Sequence, residues 1–130
     1  MKIAVLGAGA IGSLFGSLLT EGGEEILLLT RTEEQAEYIS ENGVKVADQY
    51  GSRVVRMPAV SSRSFSGRTD LMLVAVKSHD TRTAIGGVAD QLGEDTCVLT
   101  LQNGLGNIET LVDILGRGRV LAGTTTQAST

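Results

Sequence analysis

At 130 residues with 42% hydrophobic and 20% charged content, the chain has the size and composition of one folded domain with its own core, which excludes a disordered segment. A net charge of −4, with lysines only at Lys2, Lys45 and Lys77, excludes the basic footprint of a nucleic-acid binder. No run approaches about 18 apolar residues and no basic leader precedes the first one, so neither a membrane span nor a signal peptide is read, and a cytoplasmic setting is expected.

Ile3-Ala4-Val5-Leu6 is a short apolar run closed by Gly7, the pattern of a strand buried on both faces. Ile11, Leu14, Phe15, Leu18 and Leu19 recur at helical spacing and form one apolar face that stops at Gly22-Gly23. Ile26-Leu27-Leu28-Leu29-Thr30 predicts a second buried strand. Thr32-Glu33-Glu34-Gln35 has the form of a capping box and opens a helix predicted to end near Gly43. Val44-Lys45-Val46 and Arg53-Val54-Val55-Arg56-Met57 flank the turn-like Gln49-Tyr50-Gly51-Ser52, which predicts a hairpin. The serine-rich stretch from Ser61 to Gly67 is expected as a loop. Leu71-Met72-Leu73-Val74-Ala75-Val76 is the strongest buried strand in the chain. Asp80 or Thr81 is expected to cap a helix running to Leu92. A strand from Thr96 to Leu101, a helix capped by Asn107 and ending at Leu115, and a strand from Val120 to Thr126 complete the pattern.

Strands and helices alternating in this way predict an α/β fold: a Rossmann-type, doubly wound, mostly parallel sheet with helices on both faces. The expected strand order is 3-2-1-4-5-6, with the hairpin outside the parallel ladder and ligands at the carboxyl ends of the strands. Cys97 lies in an apolar run and is expected as a small buried thiol rather than a nucleophile or ligand. One cysteine and one histidine offer neither a disulfide nor a metal site.

Gly7-Ala8-Gly9-Ala10-Ile11-Gly12 matches G-x-G-x-x-G between a buried strand and an amphipathic helix, the context that the phosphate-binding mechanism requires. Gly7 would permit the tight turn, Gly9 the approach of a pyrophosphate and Gly12 close packing of helix on sheet, with Gly16 extending that packing by a turn. The bland alternative is a structural glycine turn. At the end of the second strand, where an NAD site usually places an acid, the residues are Thr30-Arg31-Thr32. Arg31 offers a permanently charged fork to a 2′-phosphate, which favours NADP over NAD, unless it is only a solvated surface residue. Lys77 follows the fourth strand and would emerge at the rim of the cofactor crevice. Asn103 follows the fifth and offers both a donor and an acceptor to a ribose or a substrate hydroxyl. Gly104 and Gly106 either serve that site or only shape the turn, and His79 reads more readily as a surface residue than as a proton donor.

With these residues the chain resembles the N-terminal domain of the ketopantoate reductase family. The resemblance runs through nearly the whole chain: Met1-Lys2-Ile3 leading into Gly7 to Gly12, Arg31, Val76-Lys77, Gln102-Asn103-Gly104-Leu105-Gly106 and Gly123-Thr124-Thr125-Thr126. Members of that family use NADPH to reduce 2-dehydropantoate to pantoate in the pathway to pantothenate and coenzyme A. The resemblance implies an NADP-binding domain over residues 1–130, with Arg31 on the adenosine 2′-phosphate and Lys77 as a further cofactor contact. It implies Asn103 beside the nicotinamide ribose and the substrate, and a small keto acid as substrate partner. Neither nucleic acid nor a membrane is an expected partner, and a homodimer is a candidate assembly. No catalytic residue is assigned to this chain, because in that family a helical C-terminal domain supplies the catalytic lysine. No lysine follows Lys77, and Gln127 stands where many relatives carry histidine. Two other readings stay open. One is a stand-alone nucleotide-sensing module, such as the regulatory domains of potassium transporters, against which Arg31 speaks. The other is a different two-domain NADP-dependent 2-hydroxy acid dehydrogenase, which fold alone does not separate from the first.

Overall fold

In the computed structural model, which describes residues 1–49, 51–77, 80–101 and 107–122, the apolar runs become a parallel sheet because each has to be buried on two sides. In β1 (Lys2–Leu6), Ile3 and Val5 join one core while Ala4 and Leu6 join the other. Successive side chains of a strand point to opposite faces, so an uninterrupted apolar run fits only a strand covered above and below. The first core collects Ile26 and Leu28 from β2 (Glu25–Thr30), Leu14 and Leu19 from α1 (Ala10–Glu21), and Ala36 and Ile39 from α2 (Glu33–Asn42). It is closed by the antiparallel hairpin of β3 (Val44–Asp48) and β4 (Gly51–Val55), through Val44, Val46 and Val55.

The second core lies on the other face. It holds Met72 and Val74 from β6 (Leu71–Val74), Ile85 from α3 (Thr81–Gly86), Val98 from β7 (Cys97–Thr100) and Leu111 from α4 (Asn107–Leu115). With β5 (Ala59–Ser61) and β8 (Val120–Ala122), the six parallel strands run β5-β2-β1-β6-β7-β8. Counted along the parallel strands alone, this is the expected 3-2-1-4-5-6 order, with the hairpin as a separate sheet. The order reverses between β1 and β6, which pair from Ile3 opposite Leu71 to Leu6 opposite Val74. Such a switch point opens a crevice at the carboxyl ends of the strands.

Several local expectations are corrected. The third parallel strand, Ala59–Ser61, falls between the expected hairpin and the expected serine-rich loop, where no strand is read from the sequence; its three residues pair with Leu28, Leu29 and Thr30. Ser40 staples it, its hydroxyl donating to the Ala59 carbonyl (3.1 Å) and accepting from the Ala59 amide (3.2 Å). The helix expected to reach Leu92 ends at Gly86, where a glycine pair halts it, and only a 3-10 turn at Ala89–Gln91 follows. Asp80 precedes that helix without a side-chain capping bond, and Asn107 begins α4 from within rather than before it. Cys97 is exposed, not buried. It opens β7 at the uncovered amino end of the sheet, where its amide meets the Asp70 carbonyl, and the buried alternation belongs to Val98 and Thr100. The strand expected over residues 120–126 is described for Val120–Ala122, and the rest lies outside the described residues.

Candidate cofactor-binding site

The chain leaves β1 through Gly7, whose amide donates to the Leu29 carbonyl (3.1 Å), while the Ala75 amide donates to the Leu6 carbonyl (2.9 Å). These two bonds fix the turn between its neighbours in the sheet. Gly7 has φ +112, and a Cβ there would stand 3.0 Å from backbone atoms of Ala75 and Val76, so both conformation and space demand glycine. At Gly12 a Cβ would lie 1.9 Å from the Gly7 carbonyl oxygen, so only hydrogen fits where the first turn of α1 rests on the strand end. Gly9 differs: a Cβ there meets nothing within 4 Å. Its face is open, as backbone must be if a phosphate is to approach it.

Helix α1 starts directly after Gly9, with no side-chain cap and no acidic residue in its first turn. The positive end of the helix dipole therefore faces the open side of the loop without a competing carboxylate from its own first turn. Ser13 stiffens the loop from behind by donating its hydroxyl to the Ala8 carbonyl (3.0 Å). Gly9 and Ala10 are exposed, while Gly7, Ala8 and Ile11 are half-buried and Gly12 is buried. The sequence between Leu6 and Ser13 thus builds a rigid cradle with a positive rim, which fits a pyrophosphate-bridged dinucleotide.

Arg31 stands between two locked residues. The buried Thr30 donates its hydroxyl to the Thr32 carbonyl (2.7 Å), and Thr32 caps α2 by accepting from the Gln35 amide (3.2 Å), as the capping box predicts. The Arg31 side chain is 80% exposed, and its guanidinium donates to an Asp80 carboxylate oxygen at 3.1 Å. Glu33, two residues on, is turned to β5, where its carboxylate accepts from the Ser61 and Ser64 hydroxyls. Those two hydrogen bonds, with the Arg63 charge adding to them, hold the Glu33 carboxyl below its ordinary value.

Lys77 is exposed two residues after Ala75, and its carbonyl accepts from the Asp80 amide (2.8 Å), which closes the turn into α3. The glycine loop, Arg31 and Lys77 therefore all follow carboxyl ends of neighbouring strands. Asn103 and its neighbours, and His79, lie outside the described residues. Sequence reasoning missed Asp80 as the partner of Arg31, reading it only as a helix cap. The signal was an acid three residues past Lys77, at the carboxyl side of the strand next to β1. Among the described residues, no group of three or more metal-ligating side chains comes together and no helix is long and apolar enough to cross a membrane.

Residues 3–130 match the family model described as ketopantoate reductase PanE/ApbA. The 2-dehydropantoate 2-reductase of Halobacterium salinarum is 37% identical over 130 residues, covering 99% of this chain and 43% of that protein. Its counterpart from Pyrococcus horikoshii is also 37% identical, covering 99% of this chain and 41% of its own length. The chain thus spans about two-fifths of these curated relatives. Among solved structures, D-mandelate dehydrogenase with NADH and anilino(oxo)acetate superposes with a TM-score of 0.92 at 28% identity, over 98% of this chain and 41% of that one. The 2-dehydropantoate 2-reductase from Geobacter metallireducens gives 0.83 at 34% identity, over 94% and 40%.

Proposed function

Because the chain belongs to the ketopantoate reductase family, we propose that it forms the NADPH-binding domain of an oxidoreductase that reduces the 2-keto group of 2-dehydropantoate. The observation that carries the reading is the cradle itself: an open Gly9 between two positions, Gly7 and Gly12, that admit no side chain. In this reading the backbone of Gly7, Ala8, Gly9, Ala10, Ile11 and Gly12, with the start of α1, holds the pyrophosphate. Arg31 holds the adenosine 2′-phosphate, Lys77 makes a further cofactor contact, and Asn103 sits by the nicotinamide ribose and the keto acid. When bound, the nicotinamide would supply a hydride to the keto carbon. The chain's own work is binding and orientation: a rigid turn sets the position of the dinucleotide, and the dipole of α1 offsets its charge. The catalytic lysine and the remaining substrate ligands belong to a helical C-terminal domain in this scheme. The family match favours it over a stand-alone nucleotide-sensing module.

A second reading, a dehydrogenase for another 2-hydroxy acid, is supported by the likeness to D-mandelate dehydrogenase. That neighbour was solved with NADH, whereas the first reading rests on NADPH and gives Arg31 its 2′-phosphate to hold. Titrating NADPH and NADH into the wild-type chain and Arg31→Ala by calorimetry tests the first. A charge-assisted hydrogen bond contributes roughly 1.5–3 kcal/mol, and about 1.4 kcal/mol is tenfold in affinity. The expected loss for NADPH is about tenfold, near the low end, because the guanidinium is exposed and already engaged by Asp80. NADH binding should hardly change. Equal weakening of both cofactors, or tighter NADH binding by the wild type, would refute the role given to Arg31.

A further inference from the structure

We propose that Asp80 is a specificity-determining residue of this site, one that restrains the preference for a 2′-phosphorylated dinucleotide by holding Arg31 in an ion pair. The inference rests on the reading above that Arg31 meets the adenosine 2′-phosphate. Arg31 follows β2 and Asp80 follows β6, and the strand between them in the sheet is β1, which runs into the glycine loop. The pair at 3.1 Å therefore bridges two strand spacings, about 10 Å, across the carboxyl end of β1.

The two partners are held very differently. The Arg31 side chain is 80% exposed, whereas that of Asp80 is 29% exposed. The Asp80 amide is tied to Lys77, and the helix it precedes is anchored by the fully buried Ile85. Arginine is the movable arm and the carboxylate is the fixed post. A phosphate dianion arriving at Arg31 has to take the guanidinium from Asp80 and then stand one guanidinium away from a like charge. A ribose 2′-hydroxyl meets no such opposition and can donate to the carboxylate. Dinucleotide sites that select the hydroxyl usually place an acid after the second strand. Here arginine occupies that place, Glu33 is engaged by Ser61 and Ser64, and a carboxylate reaches the same point from the turn before α3.

The test measures dissociation constants for NADPH and NADH with the full chain as wild type, Asp80→Asn, Asp80→Glu, Arg31→Ala and the Arg31→Ala/Asp80→Asn double variant. Asparagine keeps the shape and the fitness of the position before a helix, and a thermal melt checks folding. The expected result for Asp80→Asn is NADPH binding tightened about 2- to 5-fold, with NADH unchanged or weaker, and most of that gain lost when Arg31 is absent. Asp80→Glu keeps the charge and should keep a ratio near that of the wild type. An unchanged NADPH/NADH ratio in Asp80→Asn, while Arg31→Ala still weakens NADPH selectively, overturns this proposal and leaves the role of Arg31 standing. Weaker NADPH binding by Asp80→Asn overturns it too, since Asp80 would then be orienting Arg31 for the phosphate. If Arg31→Ala weakens both cofactors equally, or neither cofactor binds the wild type, the underlying reading falls and the proposal with it.

Discussion

Replacing Gly12 and Gly16 by alanine, one at a time, separates a glycine that the cradle needs from one that it merely contains. At Gly12 the new Cβ would be 1.9 Å from the Gly7 carbonyl oxygen and 3.3 Å from the Ala75 Cβ. The first turn of α1 would have to retreat from the strand end by more than an ångström before the contact became tolerable. The carbonyl cannot yield instead, because the Gly7 amide is bonded to Leu29 and the residue is wedged against Ala75 and Val76. Alanine brings back about 1 kcal/mol of helix propensity, but overpacking against fixed backbone costs about 1–3 kcal/mol, occasionally more. A net loss of up to about 2 kcal/mol is expected for Gly12→Ala. At Gly16 the nearest atom is the Met57 sulfur at 3.5 Å, an ordinary contact on a flexible side chain. Gly16→Ala should therefore be neutral or stabilising by up to about 1 kcal/mol. Urea unfolding reads both as a shift in midpoint at constant slope. Nicotinamide-dinucleotide titration adds a second readout, since displacing the start of α1 would move the amides that the proposed cradle offers to a phosphate. The reasoning is refuted if Gly12→Ala is as stable as Gly16→Ala, or if it binds cofactor like the wild type.

Leu28→Ala removes a side chain that is 0% exposed at the centre of β2, and it should destabilise the fold by about 2–5 kcal/mol in urea. Glu33 predicts a pH dependence. Its folded pKa lies below the ordinary 4.5, so its contribution to stability is complete above that value and is lost as pH falls through the lower, folded one. Glu33→Gln should flatten that acid limb relative to the wild type, and identical limbs in a series of urea melts of decreasing pH would contradict it.

The sequence carried the site's scaffold because each part of it is written locally. The spacing of Gly7, Gly9 and Gly12 states the turn, and Thr32 with Gln35 states where α2 begins. What escaped depends on partners distant in the chain. The strand Ala59–Ser61 is three residues long and opens a serine-rich stretch, so no periodicity marks it. It is a strand because β2 offers an edge and Ser40 a staple. Cys97 shares its apolar run with Val98, yet whether the run's first residue is covered depends on what stands over the amino end of the sheet. The Arg31–Asp80 pair joins residues 49 positions apart, and neither side chain announces the other.

The pairing of β1 with β6 has a consequence for how the cradle comes into being during synthesis. The glycine loop is synthesised well before the Ala75 amide and the Val76 backbone that wall in Gly7, which directly follow β6. Joining Ile3 to Leu71 closes a long loop, a slow event beside the formation of a single helix. A nascent chain that has completed β2 and α2 therefore carries the whole glycine motif while its turn is still unsupported on one side. Cofactor affinity should arise in the growing polypeptide as a step once β6 has docked, rather than gradually with length.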